Sequence, residues 1–269
     1  MSVKTSELEA ELIDAVCARV RERLPEPLMF ACEAFVRQYY RWVPAEDLAN
    51  RSPEDLFGAA LAHWRLLARR APGEIKVRVY NPELEQHGWQ SPHTVVEIVT
   101  DDMPFLVDSV TMELARAGYA LDLVIHPVIR LRRDGDGNVI DVVGPEEEAP
   151  DARSESILHA EITREPDLDL LERLRSDLER VLGEVDAAVS DWAAMRRRAL
   201  ELVDELGSRP PPITADELEQ AQKFLRWLAD HHFTFLGFRE YDLVVAGGEA
   251  GLKAVTDSGL GILRGPPKT

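Results

Sequence analysis

His93-Thr-Val-Val-Glu-Ile-Val-Thr100 is followed at once by Asp101-Asp-Met-Pro104 and then by Val107, Val110, Leu114 and Ala117. The first eight residues are rich in β-branched side chains and too short for a buried helix, so they read as a strand. The acidic pair and the early proline are start signals for a helix, with Met103, Val107, Val110, Leu114 and Ala117 as its core stripe. Gly118 ends that helix. Leu121 to Arg133 reads as a long strand that turns over Asp134-Gly-Asp-Gly-Asn138 into Val139 to Val143, an antiparallel hairpin. After an acidic loop through Glu146, Glu147, Glu148 and Asp151, the residues Ser156, Leu158, Ala160 and Ile162 alternate as a strand. Leu171, Leu174, Leu178 and Leu182 then stripe a helix, so the order from residue 93 is β, α, β, β, α.

Upstream, Leu8, Leu12, Ile13, Val16, Val20 and Leu24 recur at helical spacing, with Ser6 and Glu9 placed as a capping box and Pro25 as the stop. A second helix runs to about Trp42, and Ser52-Pro53 opens a third that ends at Pro72-Gly73. At Glu74 the period changes from that of a helix to that of a strand, because Ile75, Val77 and Val79 alternate with Lys76, Arg78 and Tyr80. Downstream, Arg209-Pro-Pro-Pro212 forms a stiff break, and Thr214 with Glu217 forms a capping box. That helix leads into an expected strand from Phe233 to Val245 with a hairpin partner at Leu252 to Thr256. The chain is therefore expected to be α+β: a helical segment at 1–72, an antiparallel sheet domain at 73–207, and the truncated start of a second α+β domain at 208–269.

With 45% hydrophobic residues among 269, the chain can bury a substantial core. Its formal charge of -18 opposes nucleic acid and anionic lipid as partners. No apolar run approaches the roughly 20 residues of a membrane span, and the acidic N-terminus is unlike a signal peptide, so a cytoplasmic protein is expected. Cys17 and Cys32 fall in apolar helical patterns at no metal-like spacing, as buried thiols do.

Several motifs fail on their spacing. Gly259-Leu-Gly-Ile-Leu-Arg-Gly265 has its third glycine one position late for a dinucleotide loop. Asp134, Asp136 and Asn138 imitate a calcium loop, but Val139 stands where glycine is needed and Pro145 where glutamate is needed. His231 and His232, being adjacent, point in different directions and suit helix-end capping rather than a shared metal. Phe224, Trp227, Phe233, Phe235 and Phe238 lack surrounding basic residues and read as core rather than as a base-stacking platform. No catalytic, cofactor or metal set is complete.

Two constellations remain. Pleat alternation places Glu97, His126, His159 and Glu161 on the strand faces opposite the more apolar sets, where they are expected to form a polar outer face. Carboxylates beside imidazoles can transfer protons or hold a ligand, although such a face is more commonly solvated or covered by a partner. The second is the turn from Asp101 to Asp108, where free N–H groups at a helix start suit a carboxylate or phosphate, in competition with the acidic caps themselves.

Asp102-Met-Pro-Phe-Leu-Val-Asp-Ser-Val110, His126-Pro-Val128, Glu155-Ser-Ile-Leu-His159, Asp191-Trp192, Phe224 to Tyr241 and Ser258 to Arg264 occur in an order that resembles the N-terminal region of the large bacterial NAD-specific glutamate dehydrogenases. The resemblance implies ACT-like, ferredoxin-like βαββαβ modules and a parent enzyme that interconverts L-glutamate and 2-oxoglutarate with NAD in domains absent from this stretch. For the last strand of such a unit, Glu184 to Val189 reads equally as strand or helix. Amino-acid-binding ACT units carry a glycine after the proline at the first strand-to-helix turn, whereas Phe105 stands here and would fill or close the pocket. Asp102, Pro104, Phe105, Asp108 and Ser109 are the ligand site this implies.

A regulatory and oligomerisation role follows as the first expectation, with a second copy of the chain or later domains of the same parent as partners. Cofactors are expected only in the parent, as NAD. The alternatives are an amino-acid sensor at the helix start, and a small enzyme using His126, His159 and Glu161.

Overall fold

The computed structural model describes residues 3–26, 28–48, 51–246 and 249–266. Four helices come first: α1 (Val3–Arg23), α2 (Leu28–Tyr39), α3 (Ala45–Leu48) and α4 (Pro53–Leu67). Ser52 caps α4 by accepting from the Asp55 amide, and Pro53 occupies the first turn as expected. Ser6 and Glu9 fall inside α1, and their side chains lie outside the described residues.

The sheet follows: β1 (Lys76–Tyr80), a short α5 (Leu84–His87), β2 (Thr94–Asp101), α6 (Leu106–Arg116), β3 (Leu121–Ile125), β4 (Val128–Arg133), β5 (Val139–Val142) and β6 (Arg153–Ile162). The strand order is β1-β2-β6-β4-β5, with β3 also pairing with β6, and every pairing is antiparallel. This is the ACT-like α+β arrangement.

Some local readings are revised, and one left open is settled. The expected strand Leu121 to Arg133 is interrupted at His126-Pro127, because proline offers no ladder N–H and restricts the residue before it. Its halves pair with successive stretches of β6, Ile125 with His159 and Val128 with Ser156. Glu184 to Val189 is helical, inside α7 (Leu168–Ser208), where Ala188, Met195, Ala199 and Val203 continue a buried helical stripe. The sheet edge beside β2 is taken by β1, which precedes the unit in sequence. Finally, α6 begins at Leu106 and buries Leu106, Val110 and Leu114, so its stripe is shifted from the expected Met103 and Val107.

The sheet is covered on both faces. Val99, Leu123, Ile125, Ile129, Leu131 and Ile157 share one core with α1, α2 and α4, through Val16, Val20, Phe35, Tyr39, Leu56, Trp64 and Leu67. The alternate residues Val96, Ile98, Leu158, Ala160 and Ile162 are buried too, as are Leu106, Val110 and Leu114 of α6 and Leu171, Leu174, Leu178 and Leu182 of α7. The chain accordingly divides into Met1–Leu182 and Gly183–Thr269, which differs from the expected boundaries after residues 72 and 207.

The second unit holds the rest of α7, α8 (Ala215–Trp227), a π turn at Leu228–His232, and β7 (Gly237–Phe238), β8 (Tyr241–Ala246), β9 (Glu249–Ala254) and β10 (Leu260–Gly261). Thr214 and Glu217 form the expected capping box. The strand read from Phe233 to Val245 forms only in parts, with β8 paired to β9 so that Leu243 faces Leu252. Phe224, Trp227 and Phe233 are not core: they are 58%, 48% and 52% exposed. Trp227 instead stacks on Phe224 and on His232. Among the described residues, no helix is long and apolar enough to cross a membrane.

Candidate functional site beneath the N-terminal helices

Register decides which polar residues meet. Glu97 on β2 stands opposite His159 on β6 and opposite Arg78 on β1, so all three share a face with Glu161. That face is the one covered by α2 and α4, and Glu97, His159 and Glu161 are buried to 1% or less. The expected outer face is therefore an inner one. His63 of α4 reaches the Ile98 carbonyl with Nε2 at 3.2 Å and meets the Tyr39 hydroxyl with Nδ1 at 3.1 Å. Tyr39 lies edge-on to His159 at 6.3 Å between ring centres.

Charges survive there because arginines close on them. Glu97 accepts from Arg78 Nε at 2.8 Å and from the Tyr80 hydroxyl at 3.2 Å. Glu155 accepts from Arg70 Nε at 3.0 Å and from Arg133 Nε at 2.6 Å. Glu161 accepts from Arg51 and, at 3.4 Å, from the Ser91 hydroxyl. Burial pushes the Glu97 carboxyl up despite Arg78. Burial acts the same way on Glu161, but His159 and Arg51 outweigh it and hold that carboxyl at about 2. Burial, with His159 beside it, holds His63 well below the usual imidazole range, so the ring is neutral: Nε2–H donates to Ile98 and Nδ1 accepts from Tyr39. His159 places Nε2 3.4 Å from Glu161 Oε1, while its buried Nδ1 has no hydrogen-bond partner among the described residues.

His126 is not brought to His159 and Glu161. It lies at the break between β3 and β4, with Nε2 2.6 Å from the Ser156 hydroxyl, which in turn donates to Asp102 at 3.2 Å. Ser156 faces away from Glu155 and Ile157 along β6. The hydroxyl sits between imidazole and carboxylate, so the carboxylate does not orient the imidazole as a nucleophile–base relay requires. These three residues tie the strand break to the start of α6.

The helix-start residues Asp102, Pro104, Phe105, Asp108 and Ser109 do gather at one turn. Asp101 and Asp102 are not its caps, since Asp101 pairs with Arg70 and Asp102 with Ser156. Phe105 is the N-cap residue, with φ of 72° and no side-chain cap. Its ring is half exposed. The position after Pro104, where the resemblance leads one to expect glycine, is left-handed here and occupied by an aromatic residue.

A cleft of about 400 Å³ opens at the edge of the covered face, walled by Arg51, Asp55, Ser91, His93, Asp122 and Glu161 among others. His93 Nε2 lies 3.4 Å from Asp122 Oδ2, and Arg51 Nη2 lies 3.7 Å from the same oxygen. Sequence reasoning missed Arg51, Arg70, His93 and Asp122, which come from a helix approach, a helix end, a strand start and a strand, with no spacing that marks them as a group.

Comparison with known proteins places this architecture. Residues 35–178, more than half of the chain, match the family model described as glutamate dehydrogenase, ACT1 domain. The chain belongs to the glutamate dehydrogenase ACT1-domain family. It is 38% identical over 98% of its length to an NAD-specific glutamate dehydrogenase of Halomonas elongata, covering 16% of that protein. It is 36% identical over 90% of its length to the Pseudomonas aeruginosa enzyme of the same name, covering 15%, and 28% identical over 83% to that of Mycobacterium tuberculosis, covering 13%. The chain thus spans about a sixth of the length of the relatives it matches.

In this ACT1 unit the matched segment begins within α2 and ends within α7, so it takes in the sheet and the helices on both of its faces. The ion pairs Arg70–Glu155 and Arg51–Glu161 join the helical layer to β6 inside that segment.

Proposed function

We propose that this chain is a regulatory and assembly region of a longer NAD-dependent glutamate dehydrogenase, without catalytic groups of its own. The parent would convert L-glutamate, NAD and water to 2-oxoglutarate, ammonia and NADH in other domains. One observation carries the reading: Glu97, Glu155 and Glu161, the carboxylates best placed for proton transfer, are each closed onto arginine, Glu155 and Glu161 holding the helical layer to β6 and Glu97 holding β2 to β1. The outer sides of β1 and β5 are edges of the sheet, and open edges are where an antiparallel sheet extends into another copy or another domain.

The sensor reading draws on the α6 start, whose amides have no side-chain cap. The test is the solution mass of the chain together with its thermal unfolding against free amino acids, 2-oxoglutarate and NAD. A stable dimer or larger assembly with no ligand shift supports the assembly role. A monomer stabilised by one amino acid makes it a sensor, and stabilisation by NAD overturns both.

A further inference from the structure

The cleft beside Arg51 is strongly acidic. Glu46, Asp47, Asp55, Asp122 and Glu161 line it, against a single guanidinium, that of Arg51, among the described residues. Three side chains from separate elements converge there: His93 just ahead of β2, Asp122 of β3 and Glu161 of β6. One ligand atom from each lies within 4.8 Å of the other two. The His93 to Asp122 separation of 3.4 Å is close to the edge of a tetrahedron drawn around an ion with bonds of about 2.0–2.1 Å.

A second observation points to a ligand. His159, 1% exposed, lines the same cleft, sets Nε2 against Glu161 and leaves its buried Nδ1 unpartnered. Carboxylates that ligate a metal are themselves held by outer hydrogen bonds, and His159 is placed to give one to Glu161. Arg51 meanwhile contacts both Glu161 and Asp122, so a cationic head on a long side chain already sits between the two carboxylates.

We propose that His93, Asp122 and Glu161 form a site for a divalent transition-metal ion, with Arg51 as the internal cation that the ion displaces. Imidazole with two carboxylates suits zinc or manganese rather than calcium or magnesium, which favour all-oxygen shells. Binding would join the residue just ahead of β2 to β3 and β6 through a metal and release the approach to α4, which carries Arg51. The site goes beyond the assembly role and does not depend on it.

The test is calorimetric titration of the purified chain with Zn²⁺, and separately with Mn²⁺, at neutral pH. One ion per chain is expected, with affinity lowered at least about tenfold in both His93→Gln and Asp122→Asn. These side chains are 28% and 50% exposed, so their replacement leaves the core intact, as circular dichroism would verify. Arg51→Gln removes the competitor and is expected to bind about tenfold tighter. Binding unchanged in both ligand variants places the metal elsewhere and overturns the proposal. So does weaker binding in Arg51→Gln, or no binding of either ion to wild type and Arg51→Gln.

Discussion

Arg70 and Glu155 form an ion pair in which neither partner touches water: their side chains are 2% and 0% exposed, with Nε 3.0 Å from Oε2. Arg70 also donates to the Glu74 carbonyl at 2.7 Å and contacts Asp101, so one side chain ties the end of α4 to β2 and β6. Arg70→Met leaves Glu155 with Arg133 alone, and breaking such a buried pair costs about 3 kcal/mol. Arg70→Met with Glu155→Gln removes the uncompensated charge and should recover at least about 1 kcal/mol relative to the sum of the single changes. Urea unfolding of the four proteins measures this, and simple additivity would refute it.

The neutral His63 predicts a pH dependence. Its folded pKa lies below the unfolded value of 6.5, because burial comes first and His159 and Arg78 add to it, against the Ile98 hydrogen bond. As pH falls below 6.5 the unfolded chain takes up a proton that the folded ring refuses, so stability falls with falling pH. The slope of that loss approaches at most about 1.4 kcal/mol per pH unit for this one group. His63→Gln keeps an N–H donor near Ile98 but cannot titrate. Its unfolding free energy should therefore fall less than that of wild type between pH 7.5 and 5, and equal slopes would exclude His63 as the source.

What the sequence made legible follows from the range of each signal. Ser52-Pro53, Thr214 with Glu217 and the Asp134 to Asn138 turn act within a few residues, and all three form as read. Glu97, His159 and Glu161 misled because alternation reports only that two faces differ. The buried carboxylates of this face depend on distant arginines, Glu161 on Arg51 and Glu155 on Arg70, 110 and 85 residues away, and no local period encodes that distance. The edge strand was likewise hidden: β1 reads as a strand from its own alternation, but no local signal pairs it with β2, and Glu184 to Val189, which reads equally as strand or helix, is helical within α7.

Phe105 holds a left-handed backbone conformation, which costs a non-glycine residue roughly 1 kcal/mol and a β-branched one more. Phe105→Gly gives up a half-exposed ring but relieves that cost, while Phe105→Val gives up the ring and worsens it. The glycine variant should therefore be the more stable of the two by about 1 kcal/mol or more in urea unfolding. In the longer parent the assembly reading also expects Phe105→Gly to alter assembly or allosteric response and leave the chemistry intact.

Gly137 closes the hairpin between β4 and β5 with φ of +82°, and a Cβ added there would lie 2.4 Å from the Arg70 carbonyl oxygen. The approach is fixed from both sides, since Arg70 N donates to the Gly137 carbonyl at 3.0 Å and Arg133 Nη1 donates to the same oxygen at 2.7 Å. Gly137→Ala therefore combines left-handed strain with a backbone clash that no side-chain rotation relieves, and should cost about 2–4 kcal/mol. Gly135, in the same turn, has nothing within 4 Å of an added Cβ, so Gly135→Ala should change stability by less than about 1 kcal/mol. Comparable losses in the two variants would show that the turn, rather than its contact with Arg70, sets the requirement for glycine.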